Sequence, residues 1–393
     1  MKGFYLLICF VFSSTLHAQT WSQVVDFLGT ARDDAASFSI DDFGYVVTGM
    51  QNGFQSTNDG SKYHAYTYIW YPIDSLPTNP RQYSCGFSIN GKGYIVGGLN
   101  GATYLKDCWE YDPLLDSWIQ MDSIPSFGRS ACTCFSINGK GYIGTGATNG
   151  NALTDEWWEF SPDSLNQWTQ KINFPGGPRK VAAGFELNGK GYVIAGIDTD
   201  LVMHKDVWEY DPIGNSWLPK NNFPGTPRFY AKGMNVNSTG YIMTGWDSTQ
   251  LYTNDLWKYN EGSDSWTALD TIPAVGRKGV SVFTVNGNIF VTTGINHDND
   301  RLTETWAYGE SIGLEKWENG HFKIFPNPSS GEISIFNLSN TVSNSIKIIN
   351  ALGLPVKTFS NITFPIRMEL SAGIYFIIYQ LNDQDYSQKF IIR

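Results

Sequence analysis

The chain has 393 residues, a net charge of −10, 15% aromatic residues and only 16% charged ones. That length suits two domains, and the acidic balance argues against a nucleic-acid partner, which needs a basic footprint. Aromatics together with 40 glycines favour strands and tight turns, and no stretch has convincing helical periodicity.

The chain begins with a single lysine, an apolar run from Phe4 to Phe12 and a polar stretch ending in Ala18. This is the pattern of a cleaved signal peptide over residues 1–18. The run is well short of the ~20 apolar residues that span a bilayer, so no membrane span is expected after cleavage. Four cysteines then remain: Cys85, Cys108, Cys132 and Cys134. An exported setting permits disulfides, in any of three pairings, and buried free thiols are the other reading.

From Trp21 onward the sequence repeats. "INGKGYIVGG" at 89–98 returns as "INGKGYIGTG" at 137–146 and "LNGKGYVIAG" at 187–196, with weaker copies around Asp41, Asn237 and Val285. The closing glycines, Gly49, Gly98, Gly146, Gly196, Gly245 and Gly294, lie 48 to 50 residues apart. Each copy continues into an acidic and aromatic motif such as "DCWEYDP" at 107. The acids read there are Asp59, Asp107, Asp155, Asp206, Asp255 and Glu304.

Each unit also pairs a tryptophan with an arginine eleven residues later: Trp70 and Arg81, Trp118 and Arg129, Trp168 and Arg179, Trp217 and Arg228, Trp266 and Arg277. Trp21 and Arg32 repeat that spacing, while the sixth unit ends near Tyr308 without its tryptophan strand. The N-terminal strand is therefore expected to complete the last unit. Each unit reads as four short strands, the form and period of a propeller blade. Arginine, glycine pair, Asp-x-Trp-x-Tyr-Asp-Pro and spaced tryptophan together resemble the kelch family over residues 19–310. The resemblance implies an all-β, six-bladed kelch-type β-propeller closed by its N-terminal strand. Departures are the single closing glycine of most units and Ser61 in place of the first motif tryptophan.

After a linker at 311–321 comes "FKIFPNPSSGEISIF", then "NALGLPV", "LSAGIYF" and a hydrophobic, basic end. Alternation such as Glu332-Ile333-Ser334-Ile335 predicts a small β-sandwich over 322–393. The ordered motifs are similar to the C-terminal sorting domain of type IX secretion substrates of Bacteroidetes. That resemblance implies a secreted or outer-surface location, reached through the periplasm, with the secretion machinery as a partner.

Positions shared by all six units serve the scaffold, so the arginines and motif acids are read as structural. Ligand recognition is expected where units differ, on the face that carries the loops before each first strand and after each closing glycine. The candidates there are Tyr83, Tyr230, Trp246, His297 and Arg301, since such side chains suit sugar or protein recognition. Asp33, Asp34, Gln82, Lys180, Phe229, Phe54, Tyr104 and Asp198 also vary there. No catalytic residue, metal ligand or cofactor is assigned. "INHDNDRL" holds Asp298 and Asp300 and is read as a solvated loop rather than a calcium site. The chain is expected to be a non-catalytic binding module for an extracellular glycan or protein. The alternative is a carbohydrate-active enzyme: an isomerase like the sialic-acid mutarotases or, with few histidines to hold copper, an oxidase like galactose oxidase.

Overall fold

The computed structural model describes residues 19–65, 69–310, 322–326, 329, 331–337, 345–350, 354–360, 362–381 and 384–392. The expected leader at 1–18 and the expected linker at 311–321 lie outside the described residues. Among the described residues all regular structure is strand, apart from one short 3-10 turn at Asn149–Asn151.

Among the described residues of 19–310, six antiparallel sheets share one four-stranded design, and a further two-stranded sheet pairs Arg179–Lys180 with Ile197–Asp198 in unit 4. Unit 2 is typical, with Cys85–Ile89, Lys92–Asn100, Thr103–Asp112 and Ser117–Met121. Units 1 and 5 add a two-residue strand, Arg32–Asp33 and Arg228–Phe229. The sixth sheet takes its fourth strand from the start of the chain: Gln19–Val24 pairs antiparallel with Thr305–Glu310, Trp21 opposite Tyr308. Each first strand touches the first strands of its neighbours, and Ser281–Val285 of unit 6 touches Ala36–Ile40 of unit 1.

Neighbouring units interlock through one repeated pair. The Phe38 ring fills the space where a Cβ at Gly93 would sit, 2.2 Å away, and Phe87, Phe135 and Phe185 do the same at Gly141, Gly191 and Gly240. Phe283 of unit 6 meets Gly44 of unit 1 in the same way. The unit 5–6 contact substitutes both members, because Met234 packs with Ile289 in one buried cluster. A larger residue on one side is accommodated by a slimmer, flexible one on the other.

Five of the six spaced tryptophans link the outer strands, while the Trp266 indole N–H is buried without a partner. Trp118 Nε1 donates to the Asp74 carbonyl of the previous unit at 2.8 Å, Trp168 to Asp122 at 2.7 Å and Trp217 to Ile172 at 3.3 Å. Trp70 of unit 1 donates to Val25 at 3.2 Å, and Trp21 donates to Asp270 of unit 5 at 2.8 Å. The N-terminal strand is thus held from both sides, by Trp70 reaching in and by Trp21 reaching out.

The tail holds two sheets, Phe322–Phe325, Glu332–Asn337 and Ile366–Glu369 in one, and Pro355–Ser360, Ser345–Asn350, Gly373–Leu381 and Gln384–Ile392 in the other. Ile324, Ile333, Ile335, Ile346, Ile348 and Ile377 form its core. The alternation read in the sequence puts these side chains inside.

Candidate functional site

The six arginines are scaffold. All are 0–2% exposed, and each forms an ion pair of 2.5 to 2.8 Å with the acid of its own unit. In units 1, 2, 4 and 5 the guanidinium also donates to the carbonyl of Thr48, Gly97, Ala195 or Thr244, just before the closing glycine. Those residues have positive φ, 67° at Thr48 and 63° at Ala195, so the arginine holds a left-handed bend that a Gly-Gly pair adopts more readily. Burial alone would raise the partner carboxyls, yet hydrogen bonds outweigh it, from the arginine first at Asp59, Asp107 and Glu304 and from Ser126 and then Arg129 at Glu156, and hold all four below the ordinary range.

One expected acid is corrected. In unit 3 the partner of Arg129 is Glu156, while Asp155 accepts from Asn173 instead. Trp158 donates to Glu156 as Trp109 donates to Asp107, which fixes the register of the doubled "WW".

The candidate residues sit where the units differ. The residue two after each arginine is Asp34, Tyr83, Ala131, Val181, Tyr230 or Gly279, and every one has φ between 52° and 62°. Five hydrogen bonds join their backbones in series: Asp34 N donates to Gly279 O, Tyr83 to Asp34, Ala131 to Tyr83, Val181 to Ala131 and Tyr230 to Val181, all at 2.8 to 3.1 Å. Unit 6 has glycine there and units 3 and 4 have small side chains, so the polar groups come from units 1, 2 and 5. Tyr83 and Tyr230, three units apart, share a hydroxyl–hydroxyl bond of 3.0 Å and bar the mouth.

Asp34 joins this bar through Tyr83. Burial first, and the neighbouring Asp33 second, push its carboxyl well above the usual carboxylate range. Burial and Asp34 likewise raise the Tyr83 hydroxyl. A raised acid adds stability below its unfolded pKa of about 4 that is lost as pH rises through its folded value. Replacing Asp34 with Asn should therefore leave the melting temperature unchanged near pH 4 and raise it at pH 8. Equal effects at both would show that Asp34 is not held protonated.

Beside the bar lies an aromatic shelf. Trp246 stacks on Phe229 at 5.2 Å and meets Tyr252 edge-on at 5.5 Å, and His297 stacks on Tyr252 at 4.5 Å. Lys278 Nζ sits over Tyr230, Trp246 and Tyr252 at 4.9, 4.3 and 5.0 Å, a cation–π arrangement. The Trp246 indole N–H is buried without a partner. Tyr83, Tyr230, Trp246 and His297 thus belong to one contiguous surface. Arg301 stands apart in chemistry: its Nε donates to Asp33 at 2.6 Å and both side chains are nearly buried. Lys278 and Tyr252 escaped the sequence reading.

The thiols are free. Cys85 Sγ donates to Cys132 O at 3.6 Å and Cys134 Sγ to Gly86 O at 3.6 Å, across the unit 2–3 contact. Thr133 and Ser37 make the equivalent bonds at other contacts, so these cysteines act as small polar links. In the 297–301 loop, Asn296 accepts from the Asp298 and Asp300 amides and donates to the Asp300 carboxylate. Among the described residues no cluster of His, Cys, Asp or Glu has metal-holding geometry.

A Kelch motif model matches residues 80–124, and a secretion system C-terminal sorting domain model matches residues 323–393. Among solved structures, the chain is similar to YjhT, with a TM-score of 0.62 at 16% identity over 72% of this chain and 95% of that one. No curated protein matches the chain. The chain thus carries a kelch motif in its second unit and ends in a secretion system C-terminal sorting domain.

Proposed function

We propose that the chain is a secreted or surface-held six-bladed kelch-type propeller that binds an extracellular glycan or protein at the mouth barred by Tyr83 and Tyr230. In this reading residues 1–18 are a leader, 19–310 the propeller, 311–321 a linker and 322–393 the domain read by the type IX machinery. The cyclic contacts of the first strands and the meeting of Phe283 with Gly44 support a closed ring of six blades, with Gln19–Val24 as the seal.

The observation that carries the binding role is the aromatic shelf of Trp246, Tyr252 and His297 beside the tyrosine bar. Scaffold demands are the same in every blade, yet this shelf is built in one place. Flat aromatic faces with hydroxyls and a lysine beside them suit a sugar ring or a peptide.

A second reading draws on the Asp34–Tyr83–Tyr230 chain, which offers a carboxyl raised well above its usual range and two hydroxyls for proton transfer. Incubating the full exported chain on glycan and protein arrays, then following any bound sugar by exchange NMR, separates the two. Binding without accelerated anomer exchange supports the module. Exchange abolished by Asp34→Asn would make the protein an isomerase.

A further inference from the structure

Below the tyrosine bar a narrow cavity of about 140 Å³ runs along the axis. All six first strands contribute to its wall, at Ala36, Cys85, Thr133, Ala183, Lys232 and Val282 among others. Each of these strands ends its sheet order, so one backbone edge of each is unpaired within its sheet. The wall therefore offers polar backbone groups as well as side chains.

One residue in this wall breaks the repeat. The position four after each arginine is Ala36, Cys85, Thr133, Ala183, Lys232 or Ser281, so five units place a small uncharged residue there and unit 5 places a lysine. The scaffold does not need that charge. Lys232 makes no hydrogen bond or ion pair with any described residue, although Asp34, the one carboxylate of the wall, lies near enough to feel it. Asp34 forms no ion pair with Lys232, and burial and Asp33 raise its carboxyl well above the usual carboxylate range, which weakens it as a counter-charge. An ammonium group in a confined cavity without a counter-charge is costly.

We propose that the axial cavity is a site for one compact monoanion, a halide or a small carboxylate, with Lys232 as its counter-charge and Tyr83–Tyr230 as its cover. The volume fits: a water needs about 10–15 Å³ of space open to a water-sized sphere, so about 140 Å³ leaves room for one such anion and its hydration. This site lies beneath the mouth and does not depend on the ligand bound above it.

The test uses the full chain and Lys232→Ser, which copies unit 6 at this position and so preserves the scaffold. Crystals soaked in sodium bromide should show an anomalous peak beside Lys232 Nζ in the wild type and none in K232S. Titration with chloride and with acetate at fixed ionic strength should raise the wild-type melting temperature with at least one of them. K232S should lose about tenfold or more in that affinity, as expected for a charge-assisted bond. A halide-only response identifies the occupant as a bare ion, and an acetate response identifies a carboxylate. No bromide peak in the channel, or an identical peak and titration in K232S, overturns the proposal. If K232S fails to fold, Lys232→Thr, which copies unit 3, replaces it.

Discussion

Replacing Arg81 with Met should destabilise the protein by about 3–5 kcal/mol, the usual consequence of breaking a buried ion pair. Arg81 is fully buried. Its Nη1 donates to Gly97 O at 3.0 Å and Asp107 Oδ1 at 2.7 Å, its Nη2 to Asp107 Oδ2 at 2.8 Å and its Nε to Asn79 O at 3.1 Å. Methionine fills much of the volume but leaves the Asp107 carboxylate and two carbonyls without their donor. Against a total of about 5–15 kcal/mol, that is a large share. The double variant Arg81→Met with Asp107→Leu should recover part of the loss, because both charges are then gone. Denaturant midpoints measure both. A neutral single variant would show that the arginine is not the clamp of the left-handed bend at Gly97–Gly98.

Deleting Gln19–Val24 should cost still more, since it strips the fourth strand from the sixth sheet. The strand contributes a complete antiparallel ladder to Thr305–Glu310, the Trp21–Tyr308 ring contact at 5.1 Å and the indole link from Trp21 to Asp270, and it anchors Val25, which accepts from Trp70. Without it, Thr305–Glu310 becomes an open edge, a template for aggregation. Trp21→Ala alone should be milder. Trp21 is only half-buried, so its cost falls below the ~3–5 kcal/mol of a core tryptophan and should match that of the equally half-buried Trp118→Ala. Size-exclusion chromatography and melting curves read both. A deletion variant that stays monomeric with an unchanged melting temperature would mean that the strand is an ornament.

The repeat made most of the scaffold legible. A period of 48 to 50 residues located the strands, and the eleven-residue step from Trp21 to Arg32 located the missing strand. Legibility failed where one unit offered two equivalent residues. Asp155 and Glu156 are adjacent, and only the hydrogen bond from Trp158 selects Glu156. It failed again for contacts between units. Asp33 and Arg301 lie 268 residues apart and were read as independent loop positions, yet they form one buried pair. Lys278 reaches rings from the preceding unit, which its own repeat does not reveal. The Tyr83–Tyr230 bar was within reach of the sequence, because both stand two residues after an arginine in units three apart.

The measurement that bears most directly on the proposed site is binding by the double variant Tyr230→Ala and Trp246→Ala, using whichever ligand the arrays select. Both changes copy unit 3, where Ala131 and Ala147 hold the same positions, Ala131 at φ 55°. The fold should therefore tolerate them. Calorimetry should show a loss of about 2 kcal/mol or more per aromatic, at least roughly thirtyfold for each, with the melting temperature nearly unchanged. Wild-type affinity in that variant, with the fold intact, would contradict a ligand site at this mouth.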